Sequence, residues 1–368
     1  MNADIKVSVI TVCLNSEKTL KKTMQSVFEQ TYSNIEYVVI DGQSSDKTWD
    51  IIQKDKEKIT YCCSEPDKGI YDAMNKGIAH CSGEIIAFLN SDDWYIPETI
   101  EKVVECYINS KADIVYGDYI FWCSEEEQHY SKCNKDTNQL NYHMIFGHQA
   151  TFIRRELFNK LGCYNLNYRI AADYEWFLRA YHSGATFAYL PEKLCFFRNG
   201  GLCTRERVAC VEEVKEIAEK YDTDKKWDVS IKGCYKKEIQ EAKWDCYIEN
   251  VINGKNVSAF QGILQKVGMR RSNIYLFGSG KYGLQSARWC KKLGIEVIGM
   301  IDNAPSKWGT SAEGLLINNL ENCKVEDAQV LICSFHYENE ISEQLKKYGL
   351  RKGKDYIGIS EIRSCVFD

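Results

Sequence analysis

Short apolar runs and amphipathic stretches alternate along the first third of the chain. Residues 6–13 (KVSVITVC) form a β-branched run of strand length, and Asn15-Ser16 after it is helix-start chemistry. Leu20, Met24, Val27 and Phe28 then fall at i, i+4, i+7 and i+8, one face of a helix. Residues 35–40 (IEYVVI) read as a second strand leading into Asp41, and 59–63 as a weaker third. The pattern predicts a helix over 69–81 and a buried strand over 84–89 (EIIAFL) that ends at Asn90-Ser91-Asp92-Asp93. Pro97 opens a further helix carrying Ile100, Val103, Val104, Tyr107 and Ile108. Such alternation predicts an α/β fold, a mostly parallel sheet covered by helices on both faces.

Strand character returns at 113–122, 149–153, 186–190 and 194–198. A helix over 173–183 turns Trp176, Phe177 and Ala180 inward, while 124–139 is polar without a period and reads as a mobile loop. From 205 to 268 the pattern is helical and charged, with no cluster of catalytic character. At Ser272 the chain restarts. Residues 273–277 (NIYLF) are a strand, a glycine loop leads into a helix, and 295–301 is a second strand ending at Asp302. Residues 329–333 and 338–348 add a strand and a helix closed by Gly349. The expected organisation is a first domain over 1–205, a helical connector over 206–268 and a small Rossmann-like βαβ domain over 269–368.

Composition narrows the picture without naming a chemistry. A chain of 368 residues that is 44% hydrophobic and 27% charged is globular in composition, which excludes wholesale disorder. A net charge of −5 argues against a nucleic-acid binder. Nothing before Lys6 reads as a signal peptide, and no run approaches the roughly 18 apolar residues of a membrane span, so a soluble, cytoplasmic protein is expected. Seventeen irregularly spaced cysteines with no Cys-x-x-Cys predict thiols filling cores in a reducing compartment, not a disulfide framework or zinc ribbon.

Ligands of open parallel sheets bind beyond the carboxyl ends of strands, where Asn15, Asp41 and the 90–93 cluster fall. Asp and Asn also favour turns, so position alone leaves both readings open. Asp92 and Asp93 follow a wholly apolar strand and repel each other unless a cation or solvent relieves them. Their oxygens suit a hard ion that also takes phosphate oxygens, Mg²⁺ or Mn²⁺. Asp173 heads a helix, where an acid serves as N-cap or as base.

The segments VSVITVCLN, VVIDGQSSDKT, SEPDKGIYDAMNKGI and GEIIAFLNSDDWY resemble the family 2 glycosyltransferases of the GT-A fold. The resemblance covers roughly residues 5–205 and is strongest to the bacterial branch that assembles exopolysaccharides and surface glycans. It implies transfer of a sugar from a nucleotide-sugar, a UDP-sugar by default, to a glycan or polyprenyl-linked acceptor, at the inner face of the cell membrane. Thr11 and Asn15 would line the nucleotide pocket, Asp41 would hydrogen-bond the nucleobase, and Asp67, Lys68 and Asp72 would border the donor. Asn90-Ser91-Asp92 matches the family's Asp-x-Asp, with Asp92 as the metal and diphosphate contact and Asp93 beside it at the metal; Asn90 removes one negative charge. Asp173 stands where the family has its general base, with Glu175 as the alternative. One base and one metal site describe a single in-line displacement, so the anomeric centre would invert. His148, in a His-Gln-small run, falls on the acceptor side, and Arg198 heads a glycine-containing loop suited to closing over the diphosphate.

Gly278-Ser279-Gly280-Lys281-Tyr282-Gly283 lies between strand and helix, and Asp302 ends the next strand, which fits the dinucleotide fingerprint. Gly278, Gly280 and Gly283 would let amides approach phosphates, and Asp302 would hold a ribose. The region resembles small Rossmann-like modules attached to sugar-modifying enzymes, including the nucleotide-sugar-binding domain of some sugar acyltransferases. Three readings stay open for it: a nucleotide-sugar site, an NAD(P)-dependent oxidoreductase site, or a docking domain with a vestigial loop. A non-catalytic nucleotide-sugar-binding protein is the further alternative to a transferase.

Overall fold

The structure, a computed structural model, describes residues 5–125, 127–222 and 229–367. They divide into two compact units, Met1–Ile239 and Gln240–Asp368, and the division falls within the long helix Val229–Ile252.

In the first unit, β1 (Val7–Cys13), β2 (Ile35–Asp41), β3 (Tyr61–Ser64), β4 (Ile85–Phe88), β5 (Trp94–Tyr95), β6 (Ile114–Trp122), β7 (Gln128–Ser131), β8 (Thr151–Arg154) and β9 (Phe187–Arg198) make one sheet. Its order is β3-β2-β1-β4-β8-β6-β9-β5, with β7 paired to β6. The near-continuous apolar character of β1, β2 and β4 follows from burial on both faces. Val9, Val39 and Ala87 enter one core with the helices Leu20–Phe28 and Thr99–Ser110. Ile10, Val38 and Phe88, their neighbours in sequence, enter the other with Ile70–Ala79 and Ala172–His182.

The expectation of a mostly parallel sheet holds for β3-β2-β1-β4 and gives way beyond it. β8 runs antiparallel to both β4 and β6, β9 is parallel to β6, and β5 is antiparallel to β9. A parallel return needs a crossover of a dozen or more residues, usually a helix. Between β6 and β8 the chain offers a hairpin strand and two 3₁₀ turns instead, so it comes back antiparallel. The segment expected as a loop over 124–139 thus contains β7, whose residues Gln128, His129 and Tyr130 are exposed and give no alternating signal. The two short strands expected at 186–190 and 194–198 are one strand, β9. Pro191, which has no N–H to donate, sits where its register against β6 shifts.

In the second unit, β10 (Ile274–Phe277), β11 (Val297–Ile301), β12 (Ser311–Ala312), β13 (Leu315–Asn318), β14 (Gln329–Ile332) and β15 (Tyr356–Gly358) are ordered β12-β13-β11-β10-β14-β15. All pairs are parallel except the short β12–β13. The helix Lys281–Lys292 follows β10 so closely that a Cβ on Gly283 would fall inside contact distance of the Gly278 carbonyl oxygen, a backbone atom with nowhere to go. Gly283→Ala should therefore cost about 1–3 kcal/mol of stability. Gly262→Ala, in the helix Val257–Lys266 with nothing near the new methyl, should instead add about 0.4–1 kcal/mol. Urea midpoints of the two variants must move in opposite directions; a matching shift would refute the packing argument.

Candidate active site

The loop after β4 carries the acidic cluster, and its two carboxylates part company. Asp93 is wholly buried. Its oxygens accept from the Gln149 side-chain amide at 2.9 Å and from the Arg198 backbone N–H at 2.8 Å, and its carbonyl accepts from Thr23 Oγ1 at 2.7 Å. The expectation of Asp93 beside Asp92 at a metal is revised by this geometry, because its oxygens are committed to the protein. Burial, reinforced by the charge of Asp92, pushes the Asp93 carboxyl well above the usual carboxylate range. Asp92 is also raised by burial, with the guanidinium groups of Arg198 and Arg205 pulling the other way. Ser91 Oγ lies 2.8 Å from Ser16 Oγ, tying this loop to the one after β1. The side-chain oxygen of Asn90 is buried and has no hydrogen-bond partner. An orphaned amide oxygen two residues from a desolvated carboxylate is costly alone, and it fits a hard cation or a ribose hydroxyl.

Asp173 sits in the first turn of Ala172–His182, two residues too late to be its N-cap, a position held by Ala171. Its Oδ1 accepts from the hydroxyl of Tyr71 at 2.7 Å, and its Oδ2 stands 3.9 Å from His148 Nδ1. Gly69, at φ +124°, forms the turn that launches the helix bearing Tyr71, a conformation that side chains rarely adopt. Burial and the Asp173 charge keep the Tyr71 hydroxyl protonated and thus a donor. His148 is buried against Phe88 and Phe177, with Nε2 2.9 Å from the Tyr164 hydroxyl. Burial holds its imidazole below the ordinary value, so the ring is neutral at neutral pH.

The 3₁₀ turn His148–Ala150 therefore touches both acidic groups: His148 borders Asp173, and the adjacent Gln149 holds Asp93. A strand starting at 149 was the expectation; β8 begins only after this turn. Glu175 faces elsewhere, paired with Arg179 at 3.1 Å and accepting from Tyr221 at 2.8 Å.

On the nucleotide side the structure redistributes roles. Thr11 is fully buried and its hydroxyl accepts from Tyr37 at 3.0 Å, so its side chain does not line a pocket. Asn15, at φ +51°, accepts from the Ser45 N–H at 2.9 Å and joins the loops after β1 and β2. Asp41 is buried, and its oxygens accept from the hydroxyls of Ser44 at 2.5 Å and Ser64 at 2.6 Å. Asp67 lies against Gly42, where a Cβ would strike its carboxylate. Tyr71, Gln149, Ser44, Ser64 and Arg205 were not singled out from sequence. Tyr71 and Gln149 lie inside the quoted motifs, but only their distant partners give them meaning.

In the second unit the glycine loop turns inward. Asp302 Oδ2 accepts from the Ser279 N–H at 2.9 Å, the Ser279 hydroxyl at 2.5 Å and Lys307 Nζ at 3.0 Å; Oδ1 accepts from the Ala304 N–H at 2.9 Å. Burial alone would raise this carboxyl, yet those bonds bring it down to about 2. Gly278 supplies φ +104°, Gly283 the close approach, and Gly280 caps the following helix, where Lys281 pairs with Asp245 at 2.5 Å.

Comparison with known proteins adds the family. Residues 8–167 match Glycosyl transferase family 2, and residues 270–355 match a family described as C2185-like, N-terminal. A PGL/p-HBAD biosynthesis glycosyltransferase of Mycobacterium bovis is 33% identical over 184 residues, 48% of this chain and 70% of that protein. An uncharacterized glycosyltransferase of Mycobacterium tuberculosis is 36% identical over 179 residues, 47% of this chain and 68% of the other. Among solved structures, Staphylococcus aureus TarS 1–349 in complex with UDP-GlcNAc shares the fold at a TM-score of 0.50 and 16% identity, over 79% of this chain and 80% of that one. This chain spans about half, 47%, of a longer TarS chain. The acidic loop after β4 and the matched segments agree: the chain belongs to glycosyl transferase family 2 and is a glycosyltransferase.

Proposed function

We propose that the first unit transfers a sugar, with inversion, from a nucleotide-sugar to a hydroxyl of a glycan or lipid-linked saccharide, with Asp173 as general base. The observation that carries this reading is the His148-Gln149 turn, which sets a partly exposed carboxylate beside one end and the acidic loop beside the other. An acceptor hydroxyl is a poor nucleophile until a carboxylate takes its proton. Asp173, 20% exposed and held by a Tyr71 hydroxyl, has an oxygen to offer. Neutral His148 adds no competing cation and stands 3.9 Å from the carboxylate on its other side. Asn90 and Asp92 would hold Mg²⁺ or Mn²⁺, which when bound offsets the charge growing on the departing diphosphate. Arg198 and Arg205, whose charges reach Asp92, would add positive potential there. Ser44 and Ser64, oriented by Asp41, would present hydroxyl oxygens to the nucleobase in place of the Asp41 carboxylate itself.

A UDP-sugar is the first donor to try, since the similarly folded TarS was solved with UDP-GlcNAc. The proposed division of labour is a catalytic domain over 1–205, a connector over 206–268 and a nucleotide-type module over 269–368. Among the described residues no helix is long and apolar enough to cross a membrane. A lipid-linked acceptor would be met at the cytoplasmic membrane face. The test is nucleotide release from UDP-, GDP- and TDP-sugars with and without Mn²⁺. Metal-dependent release from a UDP-sugar is expected; none from any donor would overturn the reading.

A further inference from the structure

The β6–β7 hairpin collects a second set of ligating groups, of a different chemical kind from the acidic loop. Trp122 pairs with Gln128 and Phe121 with His129, and the N–H of Cys123 donates to the Glu127 carbonyl at 3.0 Å. Cys123 therefore stands across from Glu127, just before β7, and His129 lies two residues further along the chain. Cross-strand partners share a face, as do residues i and i+2, so all three side chains emerge together. Their ligand atoms lie within 4.8 Å of one another, and His129 Nε2 is 3.4 Å from Glu127 Oε1. Among the described residues this is the one group of three such side chains.

We propose that Cys123, Glu127 and His129 bind a borderline-soft divalent cation of the Zn²⁺ type, at a site separate from the carboxylate and amide of Asp92 and Asn90. A tetrahedral ion with bonds of about 2.0–2.3 Å keeps its ligand atoms roughly 3.3–3.8 Å apart. Rotation of exposed side chains on a fixed hairpin covers the difference. Thiolate, imidazole and carboxylate together select zinc over Mg²⁺ or Mn²⁺, which prefer oxygen alone. Three protein ligands leave a fourth position for water. The thiol already accepts the Asn199 side-chain N–H at 3.7 Å, the kind of outer contact that orients a metal thiolate. Asn199 also donates its backbone N–H to Trp122 at 2.8 Å, and the preceding Arg198 N–H holds Asp93. The ion would thus brace the tip of the hairpin against the loop that bears Arg198.

Titrating the full chain with Co²⁺ tests this directly. The expected result is a thiolate-to-cobalt charge-transfer absorption that Zn²⁺ abolishes and excess Mg²⁺ does not. Cys123→Ser should remove the band, and His129→Gln should weaken Zn²⁺ competition about tenfold or more, each with unchanged far-ultraviolet circular dichroism. Asp92→Asn should keep it. Absence of the band, its persistence in Cys123→Ser, or its loss in Asp92→Asn would overturn the proposal.

Discussion

Asp173→Asn should lower sugar transfer by about 10²–10⁴-fold while UDP binding stays near that of the unaltered chain. The amide keeps the shape of the side chain and can still accept from Tyr71, so the helix start and the turn at Gly69 have no reason to move. What disappears is the basicity that takes the acceptor proton. A helix-capping role would give a different outcome, loss of stability with modest loss of rate. That alternative is already weakened by the position of Asp173 inside the helix, after Ala171. Steady-state kinetics with a calorimetric UDP titration separates the cases. Turnover within a few-fold of normal, or loss of UDP binding, would remove Asp173 from the base role.

Asp92→Asn should be the second severe variant, failing at the donor instead of at the proton. The substitution removes the free carboxylate of the acidic loop, since Asp93 is engaged by Gln149 and Arg198. Mn²⁺-dependent turnover should fall by about 100-fold or more, the scale of the several kcal/mol that a correctly held cation supplies. Folding should not suffer. Burial raises Asp92 and the Asp92 charge raises Asp93, so the pair repels within the native state and a neutral amide relieves that repulsion. An equal or higher unfolding temperature with lost Mn²⁺-dependent turnover is the expected pair of results. Undiminished turnover would place the donor site elsewhere.

The central strands were legible because burial on both faces leaves continuous apolar runs, as in residues 6–13, 35–40 and 84–89. β7 was not, because an exposed polar edge strand is held by backbone pairing with β6 and leaves no hydrophobic trace. The acidic loop and Asp173 stand out in the sequence as candidates, but the geometry of their neighbours does not. Asp93 reaches Gln149 across 56 residues and Arg198 across 105, and no local pattern encodes such contacts. The place of Thr11 in the motif predicts a pocket-lining side chain; its hydroxyl instead accepts from Tyr37, on the adjacent strand. The pairing of Glu175 is legible in the sequence, since Arg179 four residues on is a standard helical partner for an acid. The glycine fingerprint at 278–283 correctly signalled a strand–turn–helix, yet pattern alone does not reveal that Asp302 turns toward Ser279.

One dipeptide, His148-Gln149, contacts the acidic groups at both ends of the candidate site. Under the proposed roles, the spacing between the proton acceptor and the acidic loop is then a gauge set largely by a single tight turn. Lengthening that turn by one residue would detune both ends at once.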